Sequence, residues 1–241
     1  MNDIKFRPLR YRKRWFAYLD LLGFKNLVHS ESIEDVLEQY LEVLRRMQDA
    51  CRLGMTEAKL INAWFSDTFI IYTGSDSPQD FAYLEQAARI FFQLLLNKHI
   101  PVRGCISHGE LYSQSRRNIF IGPALIEAHF YGEALNWVGL CLAPSAEEKL
   151  KNDLPPEKRP FYRKVSDGDI LRKAKEKVDH LYAFAFNNGR LNGRNQYRES
   201  LQAMKSEAVK QGGAPEVIKK YEHALAFLDQ HAEQRVMTND R

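Results

Sequence analysis

The chain is short of cysteine and has no long apolar run. Its three cysteines, Cys51, Cys105 and Cys141, are odd in number and far apart in 241 residues. That excludes a disulfide framework and gives no zinc-ligand spacing, so they read as buried thiols. No apolar stretch approaches the roughly 20 residues that cross a bilayer. The first residues are basic and polar where a secretory signal needs an apolar core, so a cytoplasmic protein without membrane contact is expected. Internal repeats and low-complexity tracts are also missing. The net charge of +4 is too mild to argue for nucleic acid by itself. What is plentiful is core material. With 44% hydrophobic and 12% aromatic residues, the chain can form one large domain, or a domain of about 150 residues with an extension.

The informative stretch is Trp15 to Val28, WFAYLDLLGFKNLV. An apolar strand-like run, Trp15 to Leu19, delivers Asp20 into a Leu-Leu-Gly-Phe turn, where a carboxylate meets gathered backbone amides. Leu60 to Thr73 repeats the design, with apolar residues on both sides of Ser66-Asp67, the pattern of a hairpin with an acid at its tip. Either acid alone reads more readily as a turn or helix cap than as a metal ligand. Together they have the chemistry of a divalent-ion site, because two ions sharing carboxylates can clamp the attacking and leaving oxygens of a phosphoryl transfer. Gly23 removes the side chain that would keep phosphates from the backbone. Before this stretch, Lys5, Arg7, Arg10, Arg12, Lys13 and Arg14 form a basic arm, read either as an anion-attracting field or as a solvated flank.

Along the chain, Ser32 to Leu53 has helical apolar spacing (Ile33, Val36, Leu37, Tyr40, Leu41, Leu44, Met47), with Ser30 or Ser32 as its cap. Ser77-Pro78 opens a second helix to about Asn97. Val102 to Tyr112 and Ile119 to Ile121 read as strands, Ala124 to Glu133 as a helix, and Val138 to Leu142 as a strand. This is an α+β chain with the βαββαβ order of a ferredoxin-like sheet, helices on one face. Residues 1–145 form the expected core. Residues 146–241 are expected to be an irregular connector, with Pro155-Pro156 and Pro160, then a helical extension: Asp169 to Phe186, Asn195 to Gln211 and Pro215 to His231. The pairs Gly189-Arg190 and Gly193-Arg194 read as helix caps rather than phosphate loops.

In this order the motifs resemble those of the class III nucleotidyl cyclase catalytic domain, over about residues 13 to 145. Asp20-Leu21-Leu22-Gly23-Phe24 is similar to the family's Asp-Ile-x-Gly-Phe metal turn. Ser66-Asp67 is similar to its Gly-Asp hairpin tip, and Arg103-Gly104-Cys105-Ile106-Ser107-His108-Gly109 to its Arg-x-Gly-Ile strand. The resemblance implies two Mn2+ or Mg2+ ions held by Asp20, Asp67 and the Leu21 carbonyl. It implies a triphosphate cradled by the amides of Leu22, Gly23 and Phe24, a role for Arg103, and composite sites in a homodimer. Where purine cyclases carry a base-reading Lys stands Ala63, and Ile119 stands for the second purine reader. Ile126 and Phe130 occupy the places of the transition-state Asn and Arg. With those purine contacts absent, the Leu-Gly-Phe turn, Ser66-Asp67, the Ile121-to-His129 start of the following helix and Trp137-Val138-Gly139-Leu140 after it resemble those of the pyrimidine cyclases of bacterial Pycsar anti-phage systems. That implies cyclic UMP or cyclic CMP made from UTP or CTP, with a slight lean to UTP, and a separate effector that responds to the product. Arg103, Arg116 and Arg117, near the strand and turn expected to face the site, and the N-terminal basic arm are the candidates to replace the missing cation. His108 with Glu110 reads as base and ligand or as a satisfied sheet pair, and Asn136 as a base or ribose contact. Two other classes stay open: a cyclase-fold module that binds a nucleotide without catalysis, and a nucleic-acid-binding ferredoxin-like protein, the latter disfavoured because the RNP aromatic signature is missing.

Overall fold

The computed structural model describes residues 11–30, 32–52, 60–153, 161–186 and 193–232. Lys5, Arg7 and Arg10 of the basic arm, Pro155-Pro156, Pro160 and Gly189-Arg190 lie outside the described residues.

Apolar residues on both faces of β1 (Arg12–Leu21) make it the central strand. Trp15, Ala17 and Leu19 join one core cluster, while Phe16 and Tyr18 join another on the opposite face, as the alternation of a strand requires. β1 is flanked on one side by the hairpin β2 (Ile61–Phe65) and β3 (Thr68–Tyr72), and on the other by β4 (Val102–Gln114). After β1 come the short helix α1 (Phe24–Ser30) and then α2 (Ile33–Arg52), whose first turn is capped by the Ser32 hydroxyl accepting from the Asp35 amide at 3.1 Å. α3 (Pro78–Asn97) is capped in the same way by Ser77, with Pro78 in its first turn. Val36, Tyr40 and Val43 of α2 and Phe81 and Leu84 of α3 share the cluster of Trp15 and Leu19. Both crossover helices therefore cover one face, and β1-α2-β2-β3-α3-β4 is the expected βαββαβ unit. The buried face of α2 runs through Val36, Tyr40, Val43 and Met47, leaving Leu37 and Leu41 exposed although their spacing fitted the same helix.

Beyond the unit, β5 (Ile119–Ile121) pairs with β4, and α4 (Pro123–Ala134) packs Ala124 and Ala128 against Phe16 and Tyr18 on the second face. β6 (Gly139–Leu142) runs parallel to β4. The remaining chain adds α5 (Pro144–Asp153), β7 (Tyr162–Val165), α6 (Gly168–Leu171), a 3-10 turn at Arg172–Glu176, β8 (Leu181–Phe184), α7 (Gly193–Lys210) and α8 (Pro215–Ala232). The sheet order is β2-β3-β1-β4-β6-β8-β7, with β5 on β4.

Two stretches differ from the sequence expectation. The connector begins as a helix, α5, because Ala146 and Leu150, four residues apart, both find the core, and it ends in the strand β7, which pairs antiparallel with β8 at the sheet edge. Asp169 to Phe186 is not one helix. It turns twice and then becomes β8, whose Leu181, Ala183 and Phe184 are buried beside β6. A fully buried strand loses the polar alternation that distinguishes it from a helix.

Candidate active site

The site forms where three strands converge on the end of β1. Asp20, next to last in that strand, lies opposite Thr68 of β3 and Arg103 of β4. The ladder continues one step further: the Leu21 amide donates to the Asp67 carbonyl at 2.9 Å. Asp67 is thereby drawn from the hairpin tip to the side of Asp20. The tip is tight, with Ser66 in the left-handed region at φ 55° and the Trp64 indole donating to its carbonyl at 2.5 Å.

Asp20 is almost buried, at 7% exposure, and carries a charged partner. Arg103 Nε donates to Asp20 Oδ2 at 2.8 Å. The rest of that guanidinium is held by α4 and the loop after it: Nη1 donates to the Glu133 carbonyl at 2.8 Å and the Leu135 carbonyl at 3.3 Å, and Nη2 lies 3.7 Å from Glu133 Oε1. The Tyr18 hydroxyl donates to the same carboxylate at 3.1 Å. Burial pushes the Asp20 carboxyl above its ordinary range; Arg103 opposes the shift, and the negative charges of Glu133 and Asp67 add to it. A carboxylate kept reluctant to ionise by burial and by other acids is one that a cation would relieve.

The Gly23 turn adopts φ +74°, which only glycine enters without strain. Of the three amides expected to cradle phosphates, that of Leu22 donates to the Pro101 carbonyl at 2.8 Å, leaving those of Gly23 and Phe24. The turn opens into a cleft of about 820 Å³ shared with Tyr40, Pro101, Met204 and Lys220.

Lys220 comes from α8 and was not singled out in the sequence. α8 is fastened beside the site at three points: the Val138 amide to the Lys220 carbonyl at 3.3 Å, His223 Nδ1 to the Asn136 carbonyl at 2.7 Å, and Phe227 on the Trp137 ring at 5.1 Å. Burial holds the Lys220 ammonium below its usual range; nearby Arg103 and Arg172 press the same way, and Asp20 and Glu133 resist. Cations crowded around a cleft are a standing attraction for a polyanion. Glu133 was missed as well, since nothing in the spacing of α4 marks it.

Other expected residues lie elsewhere. His108 stacks on Trp15 at 4.8 Å, with Nε2 3.2 Å from Asp76 Oδ2, a satisfied sheet contact. Glu110, Arg116 and Arg117 are exposed. Asn136 belongs to the α8 clasp. Ala63 packs at the edge of the second-face cluster, and Ile119 and Ile126 are exposed. Phe130 lies under the Lys177 ammonium, 4.0 Å from its ring centroid.

Among the described residues, no three His, Cys, Asp or Glu side chains gather into a complete protein cage for a metal. Asp20 and Asp67 nevertheless fit Mg2+ or Mn2+, hard ions that take one or two carboxylates and complete their shell with water and substrate phosphates. No helix among the described residues is long and apolar enough to cross a membrane.

No protein-family model and no curated protein matches the chain. Solved structures do. The adenylyl cyclase CyaB from P. aeruginosa aligns over 77% of this chain and 98% of its own, at TM-score 0.54 and 12% identity. The monomeric guanylyl cyclase domain of the RhoGC fusion protein from the aquatic fungus Blastocladiella emersonii aligns over 72% and 95%, at TM-score 0.51 and 13% identity. The catalytic core of a rhodopsin-guanylyl cyclase with converted specificity, in complex with ATPαS, aligns over the same shares at TM-score 0.52 and 13% identity. The fold is that of the class III cyclase catalytic domain.

Proposed function

We propose that the protein is a nucleotidyl cyclase, converting a ribonucleoside triphosphate to its 3′,5′-cyclic monophosphate and pyrophosphate. The observation that carries this reading is the Leu21-to-Asp67 backbone bond, which brings the hairpin tip against the end of β1 beside a glycine turn within a cyclase fold, close enough for the Asp67 charge to act on Asp20. Asp20 and Asp67, with the Leu21 carbonyl, are the residues to hold divalent ions. When bound, those ions supply Lewis acidity to the ribose 3′-hydroxyl and neutralise the phosphates.

The chain's own part is positioning and charge. The amides of Gly23 and Phe24 take the terminal phosphates, and Lys220 faces them across the cleft. Arg103, the counter-ion of Asp20, stands where its positive charge would meet the negative charge developing on the α- or β-phosphate. The 3′-oxygen forms its bond to the α-phosphorus as the bond to the β-phosphate oxygen breaks. Arg103 and Lys220 supply the positive charge that Phe130 cannot.

The base is a pyrimidine, UTP ahead of CTP. The support is the apolar character of Ala63 and Ile119, which offer no hydrogen bonds to a purine edge, and selectivity of this kind comes from matched polar contacts. The active form is a homodimer with composite sites, supported by the exposed Phe65 (83%), Ile121 (55%) and Ile126 (65%). The product acts as a cytoplasmic messenger to a separate effector in anti-phage defence. Ile126 and Phe130 favour one rival, a module that binds a nucleotide and does not turn it over.

The test is incubation with all four triphosphates in equal amounts and Mn2+, with the cyclic products separated by mass. A cyclic pyrimidine nucleotide is expected. A cyclic purine would correct the base assignment, and binding without any cyclic product would establish the rival.

A further inference from the structure

A second cavity, of about 460 Å³, lies between α3, α5 and the β7-β8 pair and shares no lining residue with the cleft at Gly23. That volume suits a small organic ligand. Its floor is an ion pair turned inward. Glu85 and Arg89, one turn apart on α3, meet at 2.9 Å between Glu85 Oε1 and Arg89 Nε, with side chains 12% and 17% exposed. The Tyr162 hydroxyl donates to the same Oε1 at 3.2 Å. Helical pairs at this spacing usually sit in water, where they cost little; sheltering one forfeits hydration of both charges.

The pair is only half used. Among the described residues, Glu85 Oε2 and the two Nη atoms of Arg89 have no hydrogen-bond partner, and none of them is sealed from solvent. The Arg89 guanidinium lies over the Phe161 and Phe184 rings, 5.3 and 6.0 Å from their centroids. With its faces against aromatic carbon, its hydrogen-bonding edge is what it has left to offer. Phe81 and Tyr83 on α3 and Phe161 and Tyr182 across the cavity supply flat apolar walls.

We infer that this cavity binds the edge of a nucleobase, a flat heteroaromatic ring carrying a carbonyl acceptor beside an N–H donor, with Arg89 donating to the carbonyl and Glu85 Oε2 accepting from the ring N–H. The floor carries one charge of each sign and is neutral as a whole, so a neutral ring satisfies both open groups without bringing further charge out of water. A free amino acid would need to desolvate an ammonium and a carboxylate there. Stacking on aromatic side chains adds to the hold on any base, and the donor-acceptor pair selects among them. The ligand class does not depend on the cyclase proposal, because the cavity is separate from Asp20 and Asp67.

The experiment is calorimetric titration of the full chain with uridine, cytidine, adenosine and guanosine. As nucleosides, these lack the phosphates that the Gly23 cleft would hold. Uridine or guanosine, whose bases carry a carbonyl beside a ring N–H, is expected to bind saturably with one site per chain and more tightly than cytidine or adenosine, whose bases lack that pair; the reverse order would overturn the inference. Glu85→Gln and Arg89→Lys each weaken that binding roughly tenfold, the loss of one buried hydrogen bond to a charged group. Ala82→Phe, which narrows the cavity without touching the ion pair, also weakens it, whereas Asp20→Ala leaves it unchanged. Thermal melting of each variant checks that the fold persists. Failure of all four nucleosides to bind, binding indifferent to Glu85→Gln and Ala82→Phe, or binding abolished by Asp20→Ala would each overturn the inference. So would phenylalanine competing as well as the best nucleoside.

Discussion

Asp20 holds opposing demands in one side chain. It is buried, its neighbours Glu133 and Asp67 are acids, and Arg103 only partly compensates, so its carboxyl titrates above its ordinary value of 3.8. A group whose folded pKa is raised stabilises the fold fully below its unfolded value and loses that contribution as pH rises through the folded one. The ion-free protein should therefore lose stability as pH climbs from about 3.8 through the raised Asp20 value, and Asp20→Asn should flatten that part of the melting-temperature profile. Mn2+ added near neutral pH should raise the melting temperature of the native chain and do little for the variant. Ser66 offers a separate test at this scale. It holds φ 55° without being glycine, a conformation that costs about 1 kcal/mol for a residue with a Cβ. Ser66→Gly should recover about that much in chemical denaturation while Asp67 keeps its place. Both acids were legible in the sequence, because an acid ending an apolar run is a local pattern. Glu133 and Lys220 were not. Each reaches the site through packing between elements far apart in the chain, and no spacing rule records that.

At the scale of elements, the site depends on β1 and β4 lying close and on α8 staying docked. A Cβ on Gly104 would sit 2.6 Å from the Tyr18 carbonyl oxygen and 3.2 Å from the Leu19 side chain. Gly104→Ala should therefore part the two strands that carry Asp20 and Arg103, costing about 2–3 kcal/mol. Gly23→Ala meets open space and violates only the positive φ, so it should cost about 1 kcal/mol while disturbing the turn. Equilibrium unfolding of the two variants side by side checks the order. For α8, Lys220→Met should raise the KM for triphosphate several-fold with a smaller effect on kcat, and Lys220→Arg should restore it. The βαββαβ unit could be read from the sequence because its strands and helices each keep their own apolar period and their Ser caps. β8 could not, since Ile170, Leu171 and Ala174 sit at helical spacing and the apolar block from Leu181 to Phe186 shows no polar alternation to mark it as a strand.

For the whole molecule, one face is packed under α2, α3, α7 and α8, whereas Phe65, Ile119, Ile121 and Ile126 stand exposed. In the proposed homodimer, a second copy covers those residues and shares the site. Ile126→Glu should shift sedimentation toward the monomer and remove activity together, with only a small change in melting temperature because the residue is 65% exposed on its own chain. A variant that becomes monomeric with full activity would contradict composite sites.

In the proposed reaction, Asp20 and Asp67 act together on a nucleoside triphosphate. The most direct measurement is the yield of cyclic nucleotide from the purified protein with Mn2+, beside Asp20→Ala and Asp67→Ala at equal concentration and confirmed fold. A cyclic product from the native chain and a fall of at least about a hundredfold in both variants are expected. A cyclic product that survives loss of either acid would contradict the proposal.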